Sequence, residues 1–244
     1  MRFGSLVLCY HAVSDTWDDP LATGAATLEA QVKLLLSRGY RPVSAEGALA
    51  NRQRTLHVTF DDAFRNVAGA LGALERLRVP ATIFACAGFA EDGAHIRVAE
   101  LRDRAPANDD ELLSMSWDAL REVTAHGVEV GSHTVSHAHL PALGEEELRR
   151  ELRESRERIE DQLRRPCRLL AYPYGQHDVR VRAAARAAGY TAAFALDPPP
   201  GAIDPWAVPR VGVYRADAPW RFTLKTTRLR QPIMAARAAR RSKA

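Results

Sequence analysis

Short apolar segments alternate with segments of helical periodicity along most of the chain, and this alternation constrains the fold most. Apolar runs of about four to eight residues are typical of buried strands, and apolar positions three or four apart are typical of helices. The pattern predicts a largely parallel sheet covered by helices. The predicted strands are residues 5–10, 57–60, 81–85, 128–130, 168–172, 191–195 and 207–213; the predicted helices are residues 27–38, 64–77, 116–125, 144–164 and 178–188.

The strand and helix units continue without an evident linker or internal repeat. Six or seven of them fit within the 244 residues, which favours one closed or nearly closed barrel over two domains. Residues 90–115 are polar and predict a long loop or insertion. Functional side chains of such barrels lie at the carboxyl ends of the strands, and the notable polar residues occur there.

The cysteines indicate whether the protein belongs in an oxidising or a reducing compartment. Cys9, Cys86 and Cys167 are odd in number and far apart, so no disulfide framework is expected. The N-terminus reads as a first strand and not as a signal peptide. No run approaches the roughly 18 apolar residues of a membrane span. We therefore predict a cytoplasmic protein.

The charge is divided unevenly, with residues 1–217 as the predicted barrel and residues 218–244 as a basic tail. Removing the tail's eight basic residues from the 34 Lys and Arg leaves 26, against 30 Asp and Glu. Such a tail can attract anionic lipid or nucleic acid, although a solvated, frayed terminus explains it equally well. Nothing else suggests nucleic acid, so we expect none as a partner. The basic residues are Arg221, Lys225, Arg228, Arg230, Arg237, Arg240, Arg241 and Lys243.

Two adjacent carboxylates, Asp61 and Asp62, follow the predicted strand 57–60. Neighbouring side chains cannot point in one direction, so one could bind a cation while the other acts as a base. A helix N-cap explains such a pair as well, because Asp is common at that position.

Three histidines follow the predicted strand 128–130. His133 and His137 are four residues apart, which would place both imidazoles on one side of a helical turn, where they can share a metal. Neutral imidazole suits zinc and its neighbours in the first transition row. His139 does not share this spacing of four residues, so we expect it at the surface or behind a metal ligand.

Three further features at strand ends can each be interpreted in two ways. The turn 172–175 could aim a backbone N–H at a developing oxyanion or could be purely structural. Arg210 could orient a buried carboxylate or form an ordinary salt bridge. His11 could act as an acid or pack in the core.

Together these stretches resemble the polysaccharide deacetylases of carbohydrate esterase family 4, also called the NodB-homology domain. The family motif T-F-D-D-G is similar to residues 59–63, H-[ST]-x-x-H to residues 133–137, and R-x-P-[YF]-G in part to residues 171–175. The motifs occur in the family's order, and the resemblance covers about residues 5–215.

The resemblance implies a distorted (β/α)7 barrel in a single domain and removal of an N-acetyl group from an amino sugar in a glycan or glycoconjugate. Asp61 would be the general base, and the backbone N–H of Tyr174 would belong to the oxyanion hole. Asp62, His133 and His137 would hold one divalent ion, Zn²⁺ in the first place, with Co²⁺ or Ni²⁺ as alternatives. The expected partner is an N-acetylated carbohydrate.

The chain also departs from the family pattern. Ala63 replaces the motif glycine, a mild change if the local backbone is helical. Ala171 stands where many members have the Arg that orients the base, and Arg210 is the candidate replacement. The late Leu-x-His motif, which supplies the general acid, is absent. The opening Tyr10-His11 resembles the poly-N-acetylglucosamine deacetylase branch, where the acid lies on the N-terminal strand, so His11 is the candidate acid.

Two other functions stay open. A deformylase or deacetylase of a lipid-linked sugar, or a cyclic amide hydrolase, would share this fold, and the basic tail and predicted location favour a peripheral membrane contact. An inactive carbohydrate-binding protein is favoured by the missing Arg and late His. The retained carboxylates and histidines argue against it, because binding alone needs no base beside a metal.

Overall fold

Seven parallel strands form a closed barrel, which confirms the predicted (β/α)7 fold. The computed structural model describes residues 5–50, 54–91, 93–98, 101, 108–196 and 204–227. The described strands are β1 (Leu6–Tyr10), β2 (Ala12–Val13), β3 (Ala22–Thr23), β4 (Arg41–Pro42), β5 (Thr55–Phe60), β6 (Ala81–Ala85), β7 (Glu129–Ser132), β8 (Leu169–Ala171), β9 (Ala192–Leu196) and β10 (Val208–Gly212). The barrel order is β1, β10, β9, β8, β7, β6, β5, and the pairing of β1 with β5 closes it.

Helices cover the outside of the barrel. Five of them correspond to the predicted helices, with ends that differ by a few residues. Capping side chains fix two starts: the Ser116 hydroxyl accepts the amide of Ala119, and the Asp178 carboxylate accepts that of Val181. The described helices are α1 (Ala25–Ser37), α2 (Ala45–Leu49), α3 (Ala68–Arg76), α4 (Trp117–Ala125), α5 (Glu145–Leu163), α6 (Val179–Ala187) and α7 (Pro219–Thr226).

The first strand completes the barrel between the fifth and the last. In β1, Leu8 pairs with Val211 of β10 on one side and with Val58 of β5 on the other. The amide of Asp61 then donates to the carbonyl of Tyr10 over 2.9 Å. The ends of β1, β5 and β10 therefore meet at one rim of the barrel.

The predicted insertion at 90–115 is tied to that rim. The Glu111 carboxylate accepts hydrogen bonds from Ser14 (2.7 Å), Thr16 (2.6 Å) and Asn66 (2.8 Å), which follow β1 and β5. Residues 92, 99–100 and 102–107 lie outside the described residues. Residues 197–203 lie outside them as well.

The first part of the predicted basic tail packs on the barrel as α7. Its Phe222 side chain is fully buried, and Thr226 is 5% exposed. Residues 228–244 lie outside the described residues. In the part of the chain that the structure describes, no helix combines the length and apolar character needed to span a bilayer.

Candidate active site

Three predicted metal ligands, which come from two different loops, meet at the rim. The Asp62 Oδ1 atom lies 3.5 Å from His133 Nε2 and 3.4 Å from His137 Nε2. All three side chains are buried. Their ligand atoms lie within 4.8 Å of one another, so small movements would bring them onto one ion.

The environment of His133 prepares it as a ligand. Its Nδ1 lies 2.8 Å from the carbonyl oxygen of Ala171. A carbonyl only accepts, so Nδ1 carries the proton and Nε2 presents its lone pair to Asp62. Burial lowers the pKa of His133, although the charges of Asp61 and Asp62 oppose that shift. The imidazole therefore favours the neutral form that binds metals.

The Asp62 carboxylate supplies the test of whether a metal fits. Its Oδ1 is buried and has no hydrogen-bond partner among the described residues. Buried polar atoms rarely lack a partner, and burial raises the pKa of this carboxyl group. A cation would satisfy the oxygen and stabilise its ionised form. One carboxylate and two imidazoles are a donor set that suits zinc and related ions, so the residues present fit a divalent metal.

The predicted helical turn at His133 and His137 is wrong. Residues 133–137 form an irregular loop in which Thr134 (φ 71°) and His137 (φ 60°) are left-handed. Side chains replace the helical hydrogen bonds, since the Ser132 hydroxyl accepts the amide of Thr134 and the Thr134 hydroxyl accepts that of His137, each over 3.1 Å. The imidazoles converge through this loop geometry.

The backbone at Ala63 is not helical either. Asp62 has φ 67° and Ala63 has φ 55°, so the position that holds glycine in the family motif is left-handed here. A side chain in that conformation costs about 1–2 kcal/mol, and the substitution is therefore not mild. The conformation is held by a bond of 2.8 Å from the Met115 amide to the Ala63 carbonyl.

Asp61 lies in a different, fully paired environment. Two Arg210 nitrogens bind its two oxygens at 2.6 and 2.8 Å, and both side chains are buried. The Cys9 thiol donates to Oδ2 over 3.3 Å. Burial alone would raise the pKa of Asp61, but the Arg210 guanidinium outweighs it and holds that pKa well below its usual range. Asp61 is therefore ionised and fixed in orientation.

His11 follows β1 and lies beside Asp61. Its ring is 9% exposed and stacks on Tyr214, with centroids 6.4 Å apart. Burial lowers the pKa of His11, while the charges of Asp62 and Asp61 act in the opposite direction. The net shift lowers the pKa of His11, so the neutral imidazole is favoured, and a proton that it takes up lies close to both carboxylates.

A second group of possible metal ligands, formed by Cys9, His11 and Asp61, is less suited to a cation. Their ligand atoms also lie within 4.8 Å of one another. However, Arg210 already neutralises Asp61, and burial raises the pKa of the Cys9 thiol well above its ordinary value. Asp62, His133 and His137 therefore remain the better site.

The turn after β8 places Tyr174 against the histidines. Tyr174 has φ 60°, and its ring centroid lies 4.5 Å from that of His137 and 3.8 Å from that of the exposed His139. The next residue, Gly175, has φ 68°, and a Cβ there would lie 2.5 Å from the amide nitrogen of Leu196. Glycine is therefore required at this position.

Two side chains that support the site carry no motif in the sequence. Cys9 is one, because a lone thiol carries no positional signal. Glu151 is the other: it lies on α5, whose sequence is mostly charged and typical of a solvated helix, yet it is 9% exposed. It lies in a stripe with buried Leu148, Leu152 and Ser155. A carboxylate within an apolar stripe was the signal that could have revealed it.

Comparisons with solved structures agree with the barrel fold. A de-N-acetylase from Aggregatibacter actinomycetemcomitans superposes with a TM-score of 0.75 at 22% identity, covering 91% of this chain and 99% of that one. The structure of IcaB from Ammonifex degensii gives 0.74 at 24% identity, covering 92% and 98%. These likenesses show the shared barrel fold.

The sequence comparisons identify the family. YxkH of Bacillus subtilis (strain 168), named as a candidate polysaccharide deacetylase, is 23% identical over 200 residues, or 79% of this chain. The chain spans 64% of the length of that relative. The family model described as polysaccharide deacetylase matches residues 48–193, which is more than half of the 244 residues. The chain belongs to the polysaccharide deacetylase family.

Proposed function

We propose that this protein is a metal-dependent hydrolase that removes the acetyl group from the nitrogen of an amino sugar in a glycan or glycoconjugate. One observation carries the proposal: an unpartnered Asp62 oxygen faces two imidazoles beside an Asp61 carboxylate that Arg210 already compensates. Asp62 is thus available to bind a cation, and Asp61 is available to accept a proton.

Asp62, His133 and His137 are the residues that would hold the ion. Zinc is favoured by the two imidazoles, and cobalt or nickel can use the same donors. When bound, the ion lowers the pKa of a water molecule and polarises the acyl carbonyl.

The remaining steps belong to side chains of the chain itself. Asp61 accepts the proton of the attacking water, and Arg210 keeps the carboxylate ionised and aimed. The Tyr174 N–H stabilises the tetrahedral oxyanion, a contribution of about 3 kcal/mol for a well-placed donor. His11 in its protonated form gives a proton to the leaving nitrogen, because an amine is expelled far more easily than its anion.

Acetate release tests the proposal. Purified protein is incubated with free and lipid-linked N-acetylated sugars, after chelation and again after zinc is restored. We expect release that chelation abolishes, that zinc restores and that Asp62→Ala lacks. Release that is indifferent to chelation would contradict the metal role.

The same assay separates the alternative functions. Formate release from an N-formylated lipid-linked sugar, or opening of a cyclic amide, would identify a different substrate on this fold. Binding of N-acetylated sugars without release of any acyl group, with zinc present, would indicate an inactive carbohydrate-binding protein.

A peripheral membrane contact is a second proposal, and exposed Trp220 on α7 favours it. Trp220 is 65% exposed, and indole rings are common at membrane interfaces. The basic residues that follow could bind anionic headgroups. Flotation with phosphatidylserine vesicles would compare the full chain with a chain ending at Thr227, which keeps the buried Phe222. Absence of flotation in both chains would contradict the contact, and equal flotation would assign it to α7 and not to the basic residues that follow.

A further inference from the structure

The loop that joins the two histidine ligands has an unfavourable backbone conformation. Thr134 and His137 are both left-handed and neither is glycine. Such a conformation is unfavourable for a residue that has a side chain, and it persists only where its surroundings fix it. The separation of the two imidazoles therefore depends on whatever holds this loop.

The Glu151 carboxylate holds the loop from one side. Its Oε2 accepts the amides of Val135 (2.8 Å) and Ser136 (3.0 Å), and its Oε1 accepts the Ser136 hydroxyl (2.7 Å). Glu151 projects from α5, a helix of 19 residues packed against the barrel. Two consecutive amides between the ligands are thus bound to a rigid element.

The loop after β6 holds the opposite side. The amides of Ala87 and Gly88 donate to the carbonyls of Thr134 and Val135 over 3.0 and 2.9 Å. A Cβ at Gly88 would lie 2.7 Å from the Val135 carbonyl oxygen, so this contact is too close for any other residue. Of these two outer supports, the one from Glu151 depends on a side chain that can be shortened or neutralised.

We propose that Glu151 is a positioning residue that sets the separation of His133 and His137 and thereby the affinity for the metal. The inference rests on the proposed function, and it concerns the reach of the side chain and not its charge. Glu151 accepts from groups between the ligands, and its hydrogen bonds go to Val135 and Ser136. Its loss would let the loop relax and move the imidazoles apart.

Three variants at this position separate reach from charge. Glu151→Asp keeps the charge but is one methylene shorter, so it loses contact with the two amides. Glu151→Gln keeps the length: its oxygen can accept both amides, and its nitrogen can donate to the Ser136 hydroxyl. Glu151→Ala removes all three bonds. Glu157→Ala is the matched control, since Glu157 lies on the same helix and is exposed, with 60% of its side chain accessible.

The measurement is the dissociation constant of Zn²⁺ by competition with a chromophoric chelator, with the visible spectrum of the Co²⁺ form as a report on geometry. Loss of a group that fixes the orientation of a metal ligand weakens metal binding by about 10–100-fold. We expect that loss, with a changed cobalt spectrum, in Glu151→Asp and Glu151→Ala. Glu151→Gln and Glu157→Ala should stay near the wild-type value.

Two results would overturn the inference. Wild-type affinity in Glu151→Asp would show that reach is irrelevant, and equal weakening in Glu151→Asp and Glu151→Gln would assign the effect to something other than position. Should Glu151→Ala fail to fold, as judged by circular dichroism, the other two variants still decide. Wild-type protein that binds neither ion would overturn the proposed function together with this inference.

Discussion

Asp61 and Asp62 are adjacent in the chain and almost equally buried, at 2% and 4% exposure, yet their surroundings are opposite. Asp61 receives two bonds from Arg210 and one from Cys9. The Oδ1 atom of Asp62 has no donor among the described residues and faces two imidazoles. The pKa of the first is lowered and that of the second is raised. The difference shows that the partner, and not burial, decides what each carboxylate can do.

The backbone explains how neighbours reach such different places. Asp61 still follows the direction of β5, with its amide bound to Tyr10. Asp62 is left-handed, at φ 67°, and its side chain turns toward the histidine loop. The strained residue after the strand therefore separates the surroundings of Asp61 from those of Asp62.

Neutralising each carboxylate in turn should have the largest effect and tests whether the two have separate roles. Asp61→Asn should keep zinc affinity near the wild-type value and lose turnover by about 10²–10⁴-fold, because the proton acceptor is gone. Asp62→Asn should lose the metal itself. Zinc content by elemental analysis and acetate release by coupled assay check both variants. Equal metal loss in the two would contradict the division of roles.

Removing Arg210 should have the next largest effect, on stability. Arg210→Met leaves Asp61 buried and unpaired, which costs about 3–5 kcal/mol. Burial then raises the pKa of Asp61 in the variant, so the cost should be largest at neutral pH and should shrink as the pH falls through that raised pKa toward the unfolded value of about 4. Below about 4 it should shrink further, because the wild-type Asp61, whose pKa is lowered, begins to lose its own stabilising ion pair. Urea unfolding at several pH values measures it.

The double variant Asp61→Asn with Arg210→Met is the control for that prediction. It removes both buried charges, and should recover part of the stability lost in Arg210→Met alone. A double variant less stable than Arg210→Met would show that the guanidinium acts through packing and not through the charge of Asp61.

Substituting His11 tests whether this side chain protonates the leaving nitrogen. His11→Gln should lower kcat by about 10²-fold for an N-acetylated sugar, because the amine leaves without its proton. An aryl acetate, whose phenolate leaves unassisted, should be affected far less. Similar losses for both substrates would exclude the acid role and would point to a structural one.

Cys9 should give the smallest effect. Its thiol is a weak donor, and Arg210 continues to hold Asp61 when the thiol is absent. Cys9→Ala should therefore reduce kcat only a few-fold, and Cys9→Ser, which keeps a donor, should approach the wild-type rate. A loss in Cys9→Ala as large as that in Asp61→Asn would mean that the thiol takes part in the reaction directly.

Most of the barrel follows from the sequence, because its strands and long helices have clear periodicity and caps. Short elements such as α2 and β4 were missed, since five residues and two residues are too few to show a period. The packed helix α7 was not predicted, because the basic residues around Phe222 are also typical of a solvated terminus. Local signals thus predict long elements and overlook those that tertiary contacts define.

The site was most directly predictable where its residues fall in one motif. Asp61 with Asp62, and His133 with His137, stand together in the sequence, whereas Arg210 contacts Asp61 across 149 residues of chain. No local pattern gives a pair so distant, and Arg210 was a candidate for it because Ala171 stands where many members of the family have the orienting Arg. The left-handed loop conformations were also beyond the sequence, because they depend on Glu151 and on the loop after β6.

The most direct test of the account is an anomalous-diffraction map at the zinc edge from crystals grown with zinc. The account predicts one strong peak about 2.0–2.2 Å from an Asp62 oxygen and from Nε2 of His133 and His137, with Asp61 still bound to Arg210. A peak between Cys9, His11 and Asp61, or none at this rim, would contradict it.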